Sequence, residues 1–357
     1  MSDKLEEPQT SDAVESTAGS GYGFLLCITT ELFYVVSNTL LRWMTEFQQV
    51  SSDWTLMVKE TVTVAAVAPI MIFYMLRGQY RFPSWKTWGF LFAGAVFCEL
   101  IGARFHLWSY AVVGIVLAMP LIQIFTLLGV AGLGRVSLGE KMSPLKMAAM
   151  LVLVAAIGVL AWSQLYLTKD ANTTAVAVES TAIAEETQAA FSLGAIMTHI
   201  PTNWRFAFGL TLCLLTGLGY SLYMLCLRRA MKNSVCVNGK VVNEVPLTFS
   251  MFTVCGVGVL VGAGFLFGER GLSAFWNVPA PCWYITIGAG VVNLIGFYFR
   301  NLGFRHVTAS KQAFVSTFQI MSLAVLGVIF FGEPTNLLLW IGIVMTGIGI
   351  IMAGFTR

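Results

Sequence analysis

Leu138-Gly139-Glu140-Lys141 and Phe331-Gly332-Glu333-Pro334 are two short stretches that say nearly the same thing. Each closes one long apolar segment and opens another, from Ser143 to Trp162 after the first and from Leu337 to Gly354 after the second. A Gly-Glu repeated at matching places in two halves of a chain marks a duplicated membrane protein, whose working site commonly lies between the copies. The turns also have a local reading. Gly139 and Gly332 end one helix in a conformation other residues resist. Glu140 and Glu333 stand near the start of the next, where a carboxylate complements the helix dipole.

Composition agrees with a membrane setting. Of the 357 residues 57% are hydrophobic and only 11% charged, with a mean hydropathy of +0.77. A soluble surface needs more charge than that. The net charge of +3 and the lack of a basic tract with interleaved aromatics argue against a nucleic-acid partner. The seven cysteines show no CxxC spacing and sit mostly in apolar runs, so they read as small buried hydrophobes. No metal-ligand spacing occurs, and His106, His199 and His306 stand apart at segment ends. Zinc-protease, Walker A and GxSxG signatures are absent too, so neither a cofactor nor an enzyme activity is expected.

Ten apolar segments are long enough to cross a bilayer: 22–41, 55–76, 87–108, 111–133, 144–166, 205–226, 247–268, 282–303, 309–331 and 335–354. The expected fold is therefore an all-α membrane protein of ten transmembrane helices. Tight connections at Arg104 to Tyr110 and Phe331 to Pro334 make neighbouring helices antiparallel hairpins. The chain divides into a polar tail (1–21), a first five-helix repeat (22–167), a linker (168–204) and a second five-helix repeat (205–357). Within the linker, Ala189 to Thr198 is long enough for a short interfacial helix. The tail lacks the apolar core and basic flank of a cleaved leader, so the first span is expected to direct insertion.

Basic residues fix an orientation. With the N-terminus in the cytoplasm, the inner loops hold Arg77, Arg81, Lys86, Arg135, Lys141, Lys146, Arg228, Arg229, Lys232 and Lys240, and the outer loops hold only Arg42, Lys169, Arg205 and Arg270. That bias puts both termini in the cytoplasm and the linker outside. Five helices per repeat is an odd number, so the second repeat is inverted relative to the first.

These marks resemble the drug/metabolite transporter superfamily and its EamA-like, ten-helix double repeat. The resemblance rests on Leu138-Gly139-Glu140-Lys141-Met142 with the Gly-bearing helix after it, and on Phe331-Gly332-Glu333-Pro334 followed by Gly342 and Gly347. Pro120 in the fourth span is similar to a proline common in that family, and Lys59 sits where many relatives carry a basic residue. The resemblance covers nearly the whole chain outside 1–21 and 168–204. It departs at the second-half equivalent of Pro120, which is not proline, and at Gly132 to Ser137, a loop about a turn longer than its counterpart. What the resemblance implies is a secondary carrier for small metabolites.

Charges inside spans cost several kcal/mol each and need a reason. Glu31 and Glu99 lie near the middle of the first and third spans. With Tyr34, Asn38, Phe97 and Arg104 they form an expected acidic, aromatic-edged pocket. The alternative is pairing inside the bundle, Glu99 with Arg104 or Glu60 with Lys59, although residues five apart or adjacent face each other poorly. A midplane carboxylate either neutralises a cationic or zwitterionic substrate or, desolvated, carries a coupling proton. Gln123, Tyr220, Tyr223, Asn293, Phe297 and Gln319 are further candidate liners. Arg300 and Lys311 lie toward the cytoplasmic ends of their helices, where snorkelling is the cheaper expectation. Turned inward, they bind an anionic group. Glu31, Glu99, Lys59, Arg300 and Lys311 are thus the candidates for coupling or gating.

The expected function is an alternating-access carrier for an amino acid or organic cation, in the plasma (inner) membrane. A nucleotide-sugar or phosphorylated-metabolite antiporter is the alternative within transport. A non-transporting scaffold or lipid-modifying protein is the alternative outside it. The expected partners are a small-molecule substrate, the lipid bilayer and, in a homodimer, a second copy.

Overall fold

The computed structural model describes residues 17–47, 50–113, 115–137, 143–170, 202–237, 240–331 and 336–355. Both Gly-Glu turns, the polar tail up to residue 16 and the expected interfacial helix in the linker lie outside them. In the first half, α1 is Thr17–Phe47, α2 Ser52–Leu76, and α3 Trp85–Val96, which passes through a π-helical turn at Phe97–Ala103 into α4, Arg104–Val113. Then come α5, Ile115–Ser137, and α6, Pro144–Asp170. In the second half, α7 is Thr202–Lys232, followed by a hairpin of β1 (Ser234–Val237) and β2 (Lys240–Asn243). After it come α8 (Leu247–Arg270), the single turn α9 (Ser273–Trp276), α10 (Ala280–Gly303), α11 (Ala309–Phe331) and α12 (Leu337–Gly354).

Nine of these helices are long and apolar enough to cross a membrane, and Leu337–Ala353 is a shorter apolar helix that completes the ten. The chain is an integral membrane protein of helical class. One expected connection is absent. Arg104 to Tyr110 is not a turn but lies within α4, which continues α3 through the π-turn, with Ser109 Oγ bonded to the His106 carbonyl at 2.7 Å. Arg104 ends no helix because its charge is met inside the bundle: Asp53 Oδ1 lies 3.6 Å away and the Phe265 ring sits under the guanidinium. The β-hairpin, an antiparallel pair with Ser234 opposite Asn243 and Val237 opposite Lys240, was not expected either. It follows the last basic turn of α7, where the chain leaves the apolar region.

The two repeats are interleaved rather than set side by side. Helix α1 packs on α10 and α11, α7 packs on α3–α4 and α5, α2 packs on α8, and α6 packs on α12. Exchanging each helix for its counterpart in the other repeat reproduces this pairing, which is the signature of a pseudo-twofold. Lipid offers no water exclusion between helices, so close dispersion contact must hold them. Glycines make that approach: a Cβ on Gly296 of α10 would lie 3.0 Å from Phe33 and Tyr34 of α1.

One end of the bundle is filled. Leu227, Met231, Val245, Phe304 and Val307 are all buried there, and Arg228 donates to the Phe304 carbonyl and Arg305 to the Val245 carbonyl, the latter at 2.8 Å. At the same end Glu244, just past the hairpin, accepts from Ser84 N at 2.6 Å and Thr87 Oγ1 at 2.7 Å at the start of α3.

Candidate functional site

A cavity of about 460 Å³ opens between the repeats. It runs from the middle of the bundle to the end where α1 gives way to α2, marked by Leu41, Val50 and Thr55. Expected site residues from both halves meet in it: Glu31, Tyr34 and Asn38 from α1, Lys59 from α2, and Glu99 from the π-turn. Gln123 comes from α5, Tyr220 from α7, Asn293, Phe297 and Arg300 from α10, and Gln319 from α11.

Arg300 dominates one pole. Its guanidinium carbon lies 5.6 Å from the Tyr34 ring and 5.1 Å from the Tyr223 ring, distances at which aromatic faces attract a cation. Its Nε and the Tyr223 hydroxyl are buried without a hydrogen-bond partner. Close by, Glu31 is 1% exposed and accepts a 3.0 Å bond from Gln312 Nε2 of α11. Gln123 crosses to α11 as well, donating to Ser316 Oγ and, at 3.4 Å, to the Ala313 carbonyl.

Carboxylates crowd the other pole. Glu60 and Glu99 both lie against Gly258 of α8, where a Cβ would stand 2.9 Å from Glu60 Cγ and 3.1 Å from Glu99 Oε2. Lys59 Nζ meets Glu60 Oε1 at 3.1 Å. That corrects the expectation that adjacent residues face each other too poorly to pair: the Cβ atoms diverge, but the long lysine stem curls back to its neighbour. The π-turn carrying Glu99 is also in close contact with α7, since a Cβ on Gly219 would lie 3.0 Å from the Phe97 carbonyl oxygen. Single π-turns of this kind cluster at working sites.

Four expectations are displaced. Arg300 faces the cavity instead of snorkelling. Lys311, 7% exposed, is buried but does not line the cavity. Phe97 and Arg104 are not among the lining residues either, and Arg104 is engaged by Asp53, Phe265 and Trp108. His106 is not an isolated segment end: it lines the cavity, with Nδ1 2.9 Å from the Tyr220 hydroxyl. Among the described residues no group of three or more His, Cys, Asp and Glu is arranged to hold a metal ion.

A sequence signal for His106 existed. Gly94-Ala95, Leu100-Ile101-Gly102 and Phe105-His106 recur as Gly288-Ala289, Leu294-Ile295-Gly296 and Phe299-Arg300. Likewise Leu26-Cys27, Thr30, Leu32 and Tyr34 recur as Leu212-Cys213, Thr216, Leu218 and Tyr220. Each repeat therefore offers one tyrosine of its first helix to one basic residue of the other repeat's third helix. Tyr220 meets His106, and Tyr34 meets Arg300. Glu99 and Asn293 are a third matched pair.

Apolar helices long enough to cross a membrane enclose a cavity whose lining sets charged and polar side chains among apolar ones, the class of an integral membrane protein. Residues 207–355, almost the whole second repeat, match the EamA-like transporter family. The resemblance to drug/metabolite transporters read from the Gly-Glu turns is borne out there. Members of that family are membrane transporters rather than enzymes. A solved crystal structure of a protein is similar over 94% of this chain and 98% of its own, at 16% identity and a TM-score of 0.65, so the fold extends over both repeats. No curated protein sequence matches the chain.

Proposed function

We propose that the chain is a secondary active carrier that moves a small polar metabolite, an amino acid or organic cation, by alternating access. The observation that carries this reading is the cavity: charged and polar side chains of both repeats converge on it, while one end of the bundle is packed shut. Charges at membrane depth are too costly to keep without a use. One-sided access to a midplane site is one half of an alternating-access cycle, and an inverted partner repeat supplies the other half by rocking. With the orientation given by the loop charges, the packed end faces the cytoplasm and the cavity faces outward, in the plasma (inner) membrane. Desolvated Glu31 or Glu99 is the candidate for a coupling proton.

The lining charges weigh against a phosphorylated cargo. Three carboxyl groups, Glu31, Glu60 and Glu99, share the lining with Lys59 and Arg300, where a dianionic cargo calls for a cluster of basic residues. A scaffold would fill such a space with apolar side chains. The test is counterflow of amino acids and organic cations in liposomes holding the purified chain. Saturable exchange lost in Glu31→Gln or Glu99→Gln is expected. Unchanged exchange in both variants removes these carboxylates from the mechanism, and exchange of nothing offered removes the carrier reading.

A further inference from the structure

We infer that Arg300, flanked by Tyr34 and Tyr223, is the subsite for a carboxylate of the transported molecule, whose ammonium group is directed to Glu60 and Glu99. The inference rests on the cavity being a substrate site and narrows its cargo to a zwitterion.

The carboxylate end is argued first. Tyr34 meets the Arg300 guanidinium through its ring and hydroxyl, and Tyr223 meets it through its ring. Among the described residues no carboxylate stands at ion-pair distance from it. Glu31, an acidic group within electrostatic reach, is already engaged by Gln312, and Glu99, also within that reach, stands with Glu60 and Lys59 at the other pole. Arg300 Nε and the Tyr223 hydroxyl, on a side chain only 1% exposed, are left as open donors. Buried polar groups are rarely left unmade, because each unmet group costs free energy. A planar fork of N–H donors fits the two oxygens of a carboxylate better than it fits any single-point acceptor.

The pseudo-twofold makes the case sharper. The matching position in the other repeat is His106, whose ring is satisfied by Tyr220 at 2.9 Å. The frame therefore closes without a permanent cation at this place. An arginine there is an addition to the scaffold, and an unpaired one calls for an external anion.

The ammonium end follows from charge count. Glu60 and Glu99 meet beside Gly258 with a single cation, Lys59, bonded to Glu60. Lys59 answers one of the two crowded carboxyl groups, and a second ammonium answers the other.

The test uses the purified full chain in detergent. Thermal melting is measured with each of the common L-amino acids, with the amine formed by removing each carboxylate, and with a sugar phosphate. At least one amino acid is expected to raise the melting temperature, with its amine ~10- to 100-fold weaker, the span expected for a lost charge-assisted pair. Arg300→Gln is expected to abolish the response, and Tyr223→Phe, which keeps the ring, to weaken it should Arg300→Gln fail to fold. The subsite is overturned by an amine that stabilises as well as its parent acid. It is equally overturned by a folded Arg300→Gln or Tyr223→Phe with unchanged affinity, by a response to the sugar phosphate alone, or by no response to any amino acid. An amino acid that binds through Arg300 yet shows no counterflow leaves the subsite standing and removes the carrier reading instead.

Discussion

Gln312 Nε2 donates to Glu31 Oε1 across 3.0 Å, joining the first helix of one repeat to the fourth helix of the other. Both side chains are at most 1% exposed, so neither has water to turn to. Gln312→Ala strands a buried carboxylate and is expected to lower stability by about 1–3 kcal/mol. In a Glu31→Gln background the same change is expected to cost less, because a neutral partner needs its donor less. A double-mutant cycle of thermal unfolding in detergent reads the coupling, and additive losses contradict a direct pair.

Gly258 is a close approach beside the carboxylate pole. Gly258→Val drives a branched side chain toward Glu60 and Glu99, against contacts of 2.9 and 3.1 Å. Overpacking of this kind costs about 1–3 kcal/mol, and the displaced carboxylates are expected to lower exchange far more than the stability loss explains. Gly256→Val, where a Cβ meets nothing within 4 Å, is the control, expected to keep near-normal exchange in the same liposomes.

Glu244 makes the packed end sensitive to acid. Burial raises its pKa, but bonds from Ser84, Thr87 and Asn233 outweigh that and hold it below its ordinary 4.5. A group depressed in the folded state contributes stability above its unfolded pKa and loses it as pH falls through the folded one. Stability is therefore expected to drop below about pH 4.5, and less so in Glu244→Gln. Melting curves from pH 3 to 7 compare the two, and parallel profiles remove Glu244 from the acid response.

Asn336 caps α12 across the seam between repeats. Its Oδ1 accepts from Leu339 N at 2.8 Å and from Ser163 Oγ of α6 at 2.8 Å. Loss of such a cap costs about 0.5–2 kcal/mol. Asn336→Ala is expected to fall in that range and Asn336→Asp to retain most of the stability, measured by unfolding of the purified protein.

Much of this protein is written in its apolar periodicity. Spans declare themselves because lipid demands long uncharged runs, and midplane charges such as Glu31, Glu99 and Lys59 stand out against that background. Depth alone does not reveal rotation, however. Arg300 sits near a helix end, where snorkelling costs little, and only packing against Tyr34 and Tyr223 turns it inward. Lys311, also toward a helix end, is buried without lining the cavity. The π-turn at Phe97–Ala103 leaves no compositional trace, because it is an accommodation between α3 and the close-packed Gly219. His106 was readable after all, though only by laying one repeat over the other.

The pseudo-twofold has a last consequence. Two halves folded alike would give a cavity whose ends are interchangeable. Arg300 facing Tyr34 at one end, and His106 bonded to Tyr220 at the other, remove that equivalence. The frame keeps its rotational symmetry, while the charges along the cavity walls give it two unlike ends.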